Sequence, residues 1–134
     1  MATGREIRSL SGHFSGVNSV AFSGDGQILA SADNGNTIKL WDVAAGTQIY
    51  TLTGDSWYEN YVHVNSVAFS SDGQILASGH NDTIELSEVA TGREIGSLSH
   101  FDQVNSVAFS PDGGWLAAGD SSGNIKIWRW AKPL

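Results

Sequence analysis

The sequence predicts an all-β fold made of one four-stranded antiparallel unit built three times. Three observations carry this. The heptapeptide VNSVAFS occurs unchanged at residues 17–23, 64–70 and 104–110. Its start-to-start spacings of 47 and 40 residues give a period in the forties, as stacked repeat architectures have. The apolar runs between turn residues are strand-length, and no stretch shows a helical period with caps.

The elements follow in order. VNSVAFS is rich in Val and Phe and reads as a first strand. An Asp-Gly turn follows it in each copy, as SGDGQ (23–27), SSDGQ (70–74) and SPDGG (110–114). Glycine supplies the positive φ of such turns, and Pro111 suits a turn's second position. QILAS is the second strand, and DGQILAS recurs at 25–31 and 72–78. DNGNT (33–37) carries an Asn-Gly hairpin signal toward the third strand, TIKLWDV. TQIYTLT is the fourth, matched by GREIGSLS (92–99) and by GREIRSLS (4–11). QILAS and TIKLW are apolar at nearly every residue, so both faces of the sheet should be covered.

Composition narrows the classes. Apolar residues make up 40%, enough for a folded core. No cysteine is present, which excludes disulfides and thiolate-metal sites. No apolar run is of membrane-spanning length, and MATGREIRS lacks the apolar core of a secretory signal, so a soluble, cytoplasmic protein is the expectation. Fourteen acids against seven bases leave a charge of −7, with the bases scattered. Nucleic acid and acidic membrane surfaces are therefore not expected partners.

The order GH, VNSVAFS, DG, ILAS, TIKLWD resembles the WD40 repeat, a β-propeller blade, over essentially the whole chain. Unit one carries it most clearly, in Gly12, His13, 17–23, Asp25, Gly26, 28–31 and 37–42. The repeat units run approximately 2–43, 44–89 and 90–134. The resemblance implies a β-propeller segment of three blades whose first strand-like segment, Arg5, Glu6, Ile7, Arg8, Ser9 and Leu10, is an outermost strand with no blade of its own. The last strand, Asn124, Ile125, Lys126, Ile127 and Trp128, then ends a three-stranded blade. In full-length WD40 rings this offset closes the circle.

Three blades are too few for a closed ring, since propellers use roughly four to eight. A head-to-tail contact that closes by rotation gives a cyclic oligomer. The expected partner is the chain itself, as a nine-blade trimer or, next, a six-blade dimer. A seven-blade ring turns about 51° per blade, nine need about 40° and six about 60°. Compressing inner strands overpacks them, whereas expansion widens a channel that water fills, which favours the trimer.

The resemblance also implies a buried hydrogen-bonded set: His before the first strand, Ser on the second, Asp in the next turn and Trp on the third. Unit one offers His13, Ser31 and Trp41, with Gly35 at the Asp position. Unit two offers Ser78, with Ser87 for Trp. Unit three offers His100 and Trp128, with Ala118 for Ser and Ser122 at the Asp position. No unit is expected to hold a complete set, which lowers the expected rigidity.

No catalytic, cofactor or metal residue is expected. His13 and His100 sit at structural positions, His80 in a turn. The Asp-bearing turns lack EF-hand spacing, and no nucleophile elbow, HExxH or P-loop occurs. The segment before the second VNSVAFS is longer than its counterparts and holds Trp57, Tyr58 and Tyr61, aromatics of the kind that anchor protein or peptide partners. Folding back onto the blade is the alternative for them. The sequence thus points to a non-catalytic, self-assembling interaction module. Two alternatives stand beside it: a fragment, natural or engineered, of a larger propeller, and a ligand-binding or enzymatic propeller with its site at the channel mouth.

Overall fold

The computed structural model describes residues 4–53, 63–100 and 102–130. Eleven strands lie in them, in three antiparallel sheets. The first holds β1 (Val17–Phe22), β2 (Ile28–Asp33), β3 (Thr37–Asp42) and β4 (Thr47–Thr53). The second holds β5 (Ser66–Phe69), β6 (Ile75–Gly79), β7 (Thr83–Glu88) and β8 (Glu94–Ser99). The third holds β9 (Val104–Phe109), β10 (Trp115–Asp120) and β11 (Ile125–Arg129). Each sheet is a meander in sequence order, so the third has β11 at its edge.

One turn design joins the first two strands of every sheet. Ser23 donates to Asp25 Oδ1 at 2.7 Å, Gln27 N donates to the same oxygen at 3.0 Å, and Ile28 N donates to Ser23 Oγ at 3.0 Å. Ser70, Asp72, Gln74 and Ile75 repeat this, as do Ser110, Asp112, Gly114 and Trp115. Gly26, Gly73 and Gly113 take φ of 73°, 73° and 79°, where a side chain would be strained. The Gln27 N–H and the Ser23 hydroxyl hold the Asp25 carboxyl below the usual range. The Ser110 hydroxyl and the Gly114 N–H do the same for Asp112.

The β2–β3 connection corrects the expected Asn-Gly hairpin. Three residues link the strands, and the positive φ belongs to Asn36, at 64°. The Asp33 carboxylate organises the turn, accepting from Gly35 N at 2.8 Å and Thr37 N at 3.0 Å. Asp33 does locally what a two-residue hairpin would have left to Gly35.

The sheets stack face to face, with one apolar cluster in each gap. Between the first and second lie Ala30, Ala32, Ile38, Leu40, Val67, Phe69 and Leu76. Between the second and third lie Ile75, Ala77, Ile84, Leu86, Val104, Val107 and Leu116. Strand alternation explains the split: Leu76 faces back, while Ile75 and Ala77 face forward.

Residues 4–10 form no strand in the single chain. The segment lies against the first sheet, where Arg8 Nη2 donates to Ala44 O at 2.9 Å and the Arg8 side chain crosses Gly46.

The second gap is close enough to be tested at one glycine. A Cβ on Gly79 would lie 2.7 Å from Val104 Cγ1, and Val104 is fully buried. Gly79→Ala is expected to destabilise the chain by about 1–3 kcal/mol. Urea unfolding that gives equal midpoints for variant and wild type would contradict this packing.

Candidate interaction faces

Each gap is bridged by the same three hydrogen bonds, all made by the heptapeptide. At the first gap Val64 N donates to Asp33 O at 3.3 Å, Asn18 Nδ2 to Val64 O at 3.2 Å, and Val67 N to Ser19 Oγ at 3.2 Å. At the second Val104 N donates to His80 O at 2.9 Å, Asn65 Nδ2 to Val104 O at 2.9 Å, and Val107 N to Ser66 Oγ at 3.1 Å. The Asn and Ser of VNSVAFS therefore reach forward, while its Val and Phe side chains pack backward. This gives the repeated string a physical reason that sequence reasoning missed. The signal was the polar pair kept inside an otherwise apolar strand.

The outer faces of the first and third sheets are open in the single chain. Val20 and Phe22 are 60% and 62% exposed, where their counterparts Val67 and Phe69 are 4% and 9%. At the other end Ile127 is 65% exposed, where Leu40 and Leu86 are 0% and 7%. Ala108, Phe109, Ser110, Trp115, Ala117 and Ile127 line an apolar hollow of about 450 Å³ there. The Arg129 guanidinium carbon sits 5.4 Å from the centre of the Trp115 ring, at cation–π range.

The buried polar sets differ from the sequence expectation. In the first sheet the set is complete. Trp41 Nε1 donates to Ser31 Oγ at 2.8 Å, Ser31 Oγ lies 2.6 Å from His13 Nε2, and His13 Nδ1 lies 2.7 Å from Asp33 Oδ2. A single proton order, Trp41 to Ser31 to His13 to Asp33, satisfies every atom. The acid is Asp33 at the end of β2, not a residue at the Gly35 position in the turn. The expectation that no unit holds a full set is thus corrected.

The same shift applies in the third sheet, where Asp120, not Ser122, is the acid. His100 Nδ1 lies 3.0 Å from Asp120 Oδ2, both side chains being fully buried. With Ala118 in place of serine, His100 Nε2 faces the Ala118 carbonyl at 3.1 Å. Trp128 packs edge-on to His100 at 6.2 Å between ring centres.

In the second sheet His80 occupies the acid's place. It lies in the connection between β6 and β7, as expected, and is buried there. Its Nε2 lies 3.0 Å from Ser78 Oγ and 3.3 Å from Glu85 Oε2, and its Nδ1 has no hydrogen-bond partner. Ser87 fills the Trp position beside it and is also buried. The His80 hydrogen bond holds the Glu85 carboxyl below the usual glutamate range, against the opposing effect of burial.

Among the described residues, no three His, Asp or Glu side chains cluster as metal ligands would. Trp57, Tyr58 and Tyr61 lie outside the described residues. Of the strands expected to close a ring, Ile125, Lys126, Ile127 and Trp128 are in the edge strand β11 and Asn124 just precedes it. Arg5, Glu6, Ile7, Arg8, Ser9 and Leu10 form the extended segment beside the first sheet, with Ile7 exposed.

Two predictions follow from the polar sets. Trp41→Phe removes one donor from a satisfied network and is expected to cost about 1–3 kcal/mol, read by chemical denaturation. Glu85 stabilises the fold above the ordinary glutamate pKa, and this contribution is lost as pH falls through its lowered value. Glu85→Gln should therefore flatten the fall in stability between about pH 5 and pH 3. Parallel pH profiles for variant and wild type would refute the assignment.

The geometry of three stacked sheets, two of four strands and one of three, has relatives among known proteins. The family described as WD domain, G-beta repeat matches at residues 4–42, 46–86 and 92–129. The Vegetative incompatibility protein HET-E-1 of Podospora anserina is 58% identical over 40 residues, 30% of this chain and 3% of that protein. The Small ribosomal subunit protein RACK1 of Medicago sativa is 44% identical over 48 residues, 36% of this chain and 15% of that protein. Among solved structures, the WD40 repeats of RRP9 superpose with a TM-score of 0.83 at 26% identity, covering 91% of this chain. U3-55K does so with a TM-score of 0.82 at 25% identity. The chain spans 38% of the length of each of these two solved chains. With all three units matched, the chain belongs to the WD domain, G-beta repeat family of β-propeller repeats.

Proposed function

We propose that this chain is a non-catalytic WD40 interaction scaffold whose first partner is itself. Blades of this family serve protein–protein contact, and three of them leave two open faces and, at β11, one blade without its fourth strand. In the proposed assembly, residues 5–10 of one chain pair with β11 of the next and complete its third blade. A ring of three chains and nine blades is favoured over a dimer of six, because the wider ring leaves the innermost strands unpacked against one another.

The observation that carries this reading is where residues 4–10 lie. They stand to the first blade as β4 stands to the second. The Tyr50 hydroxyl of β4 donates to Val89 O, and Leu52 and Tyr50 crowd Gly92. Burial pushes the Tyr50 hydroxyl pKa up. Arg8, at the Tyr50 position of its own copy, donates to Ala44 O and crowds Gly46 in the matching turn. These contacts support reading the N-terminal segment as the outer strand of a preceding blade, whose other strands another chain would supply. The unpaired edge of β11 is the complementary half, and such edges favour strand addition.

Native mass by light scattering or mass spectrometry tests it. A mass of three chains is expected. Two chains would give the six-blade ring, and a stable monomer at micromolar concentration would overturn self-assembly. Deleting residues 1–11 is expected to abolish the closed species. An unchanged mass after that deletion would sink the strand exchange.

A further inference from the structure

We propose that the two end faces are the halves of a third copy of the internal blade joint, and that the occupant of each is a second copy of this chain. This rests on the head-to-tail reading above and adds the atoms that make the contact.

The two internal joints define what each side must supply. The leading blade gives a backbone carbonyl at the end of its second strand, an Asn Nδ2 and a Ser Oγ. The trailing blade gives the N–H and C=O of its first Val and the N–H of its second. The third blade carries the whole leading set outward, as the Asp120 carbonyl, Asn105 Nδ2 and Ser106 Oγ. The first blade carries the whole trailing set outward, as Val17 N–H, Val17 C=O and Val20 N–H. Asn18 bonds within its own blade, to Asn34 at 2.6 Å, while also crossing the gap. Asn105 keeps the equivalent bond within its blade, to Ser121 Oγ at 3.1 Å. Its side chain is therefore already turned as Asn18 is.

The apolar half matches as well. Phe69 packs among Ala21, Ile28, Ala30 and Leu40 at the first joint, and Phe109 among Ala68, Ile75, Ala77 and Leu86 at the second. On the outer face of the third blade the same stations hold Ala108, Trp115, Ala117 and Ile127, which line the hollow. Phe22, mostly exposed in the single chain, is the side chain that fills it. Two stations depart from the copy: Ile127 replaces Leu40 and Leu86 at similar size, and Trp115 stands where the internal joints have Ile28 and Ile75. The joint between chains is therefore an aromatic pair of Phe22 and Trp115, and aromatic pairs prefer offset or edge-on geometry.

A second copy of this chain supplies all three polar groups and the apolar anchor in the register of the heptapeptide. A chain without cysteine permits a direct test. The double variant Gly24→Cys with Pro111→Cys leaves the Phe22 anchor in place and uses turn positions whose first-joint counterparts, Ser71 and Gly24, touch. Treated with a short bis-maleimide, it is expected to give chains linked front to rear. Phe22→Ala is expected to weaken association at least about a hundredfold, and to leave the unfolding of the isolated chain unchanged. Asn105→Ala should weaken it about tenfold. A monomeric wild type would overturn both this joint and the assembly. An assembly that survives Phe22→Ala and yields no front-to-rear link, yet dissolves when residues 1–11 are removed, would keep the strand exchange and overturn this joint.

Discussion

Everything in this protein depends on how one β-sheet holds the next. A sheet of four short strands has two apolar faces and too little area to stand alone. The joint solves this with an apolar cluster for affinity and three hydrogen bonds for register. The burial is non-directional and would tolerate a slip. Hydrogen bonds from Asn18 and Asn65, and those to Ser19 and Ser66, do not. A slip would leave buried amide and hydroxyl groups unpaired, at about 1–3 kcal/mol each. The polar pair inside VNSVAFS fixes where the second sheet sits on the first, and the strands beyond it follow from the meander.

The buried His sets add a second layer within each sheet, and the three differ in kind. The first is a complete chain of donors and acceptors from Trp41 to Asp33. The third has lost its serine and keeps the His100–Asp120 pair. The second has exchanged an acid for His80 and matched it with Glu85, a carboxylate from the neighbouring strand. The position of the charge has moved while the pairing of imidazole with carboxylate has stayed. Burying an imidazole without such a partner would be costly.

Much of the fold was legible in the sequence because its turns are local. Ser-x-Asp-Gly builds a complete hydrogen-bonded turn from residues within five positions of one another, so the sequence names the turn outright. Strand identity followed from apolar runs between such turns. The polar sets were read less well. The repeat pattern assigns the acid to the turn, where Gly35 and Ser122 stand, and not to Asp33 or Asp120. Its actual place at the end of the second strand depends on which face the strand presents, and that is a three-dimensional fact. The forward reach of Asn18 and Ser19 was invisible for the same reason: their partners lie 46 and 48 residues away. The Trp57 to Tyr61 segment follows no repeat, and nothing in its own sequence says which way it turns.

The separation of local from distant contacts has a consequence for how such a chain can change. Every sheet closes its own turns, and every joint is written twice, half in one unit and half in the next, in the same letters. A unit duplicated or lost in the gene leaves both halves of every remaining joint intact. The curvature of the stack, and so the number of units in a closed circle, can therefore drift without any joint having to be reinvented. Polypeptide length and circle size become separate variables, which the proposed association would reconcile.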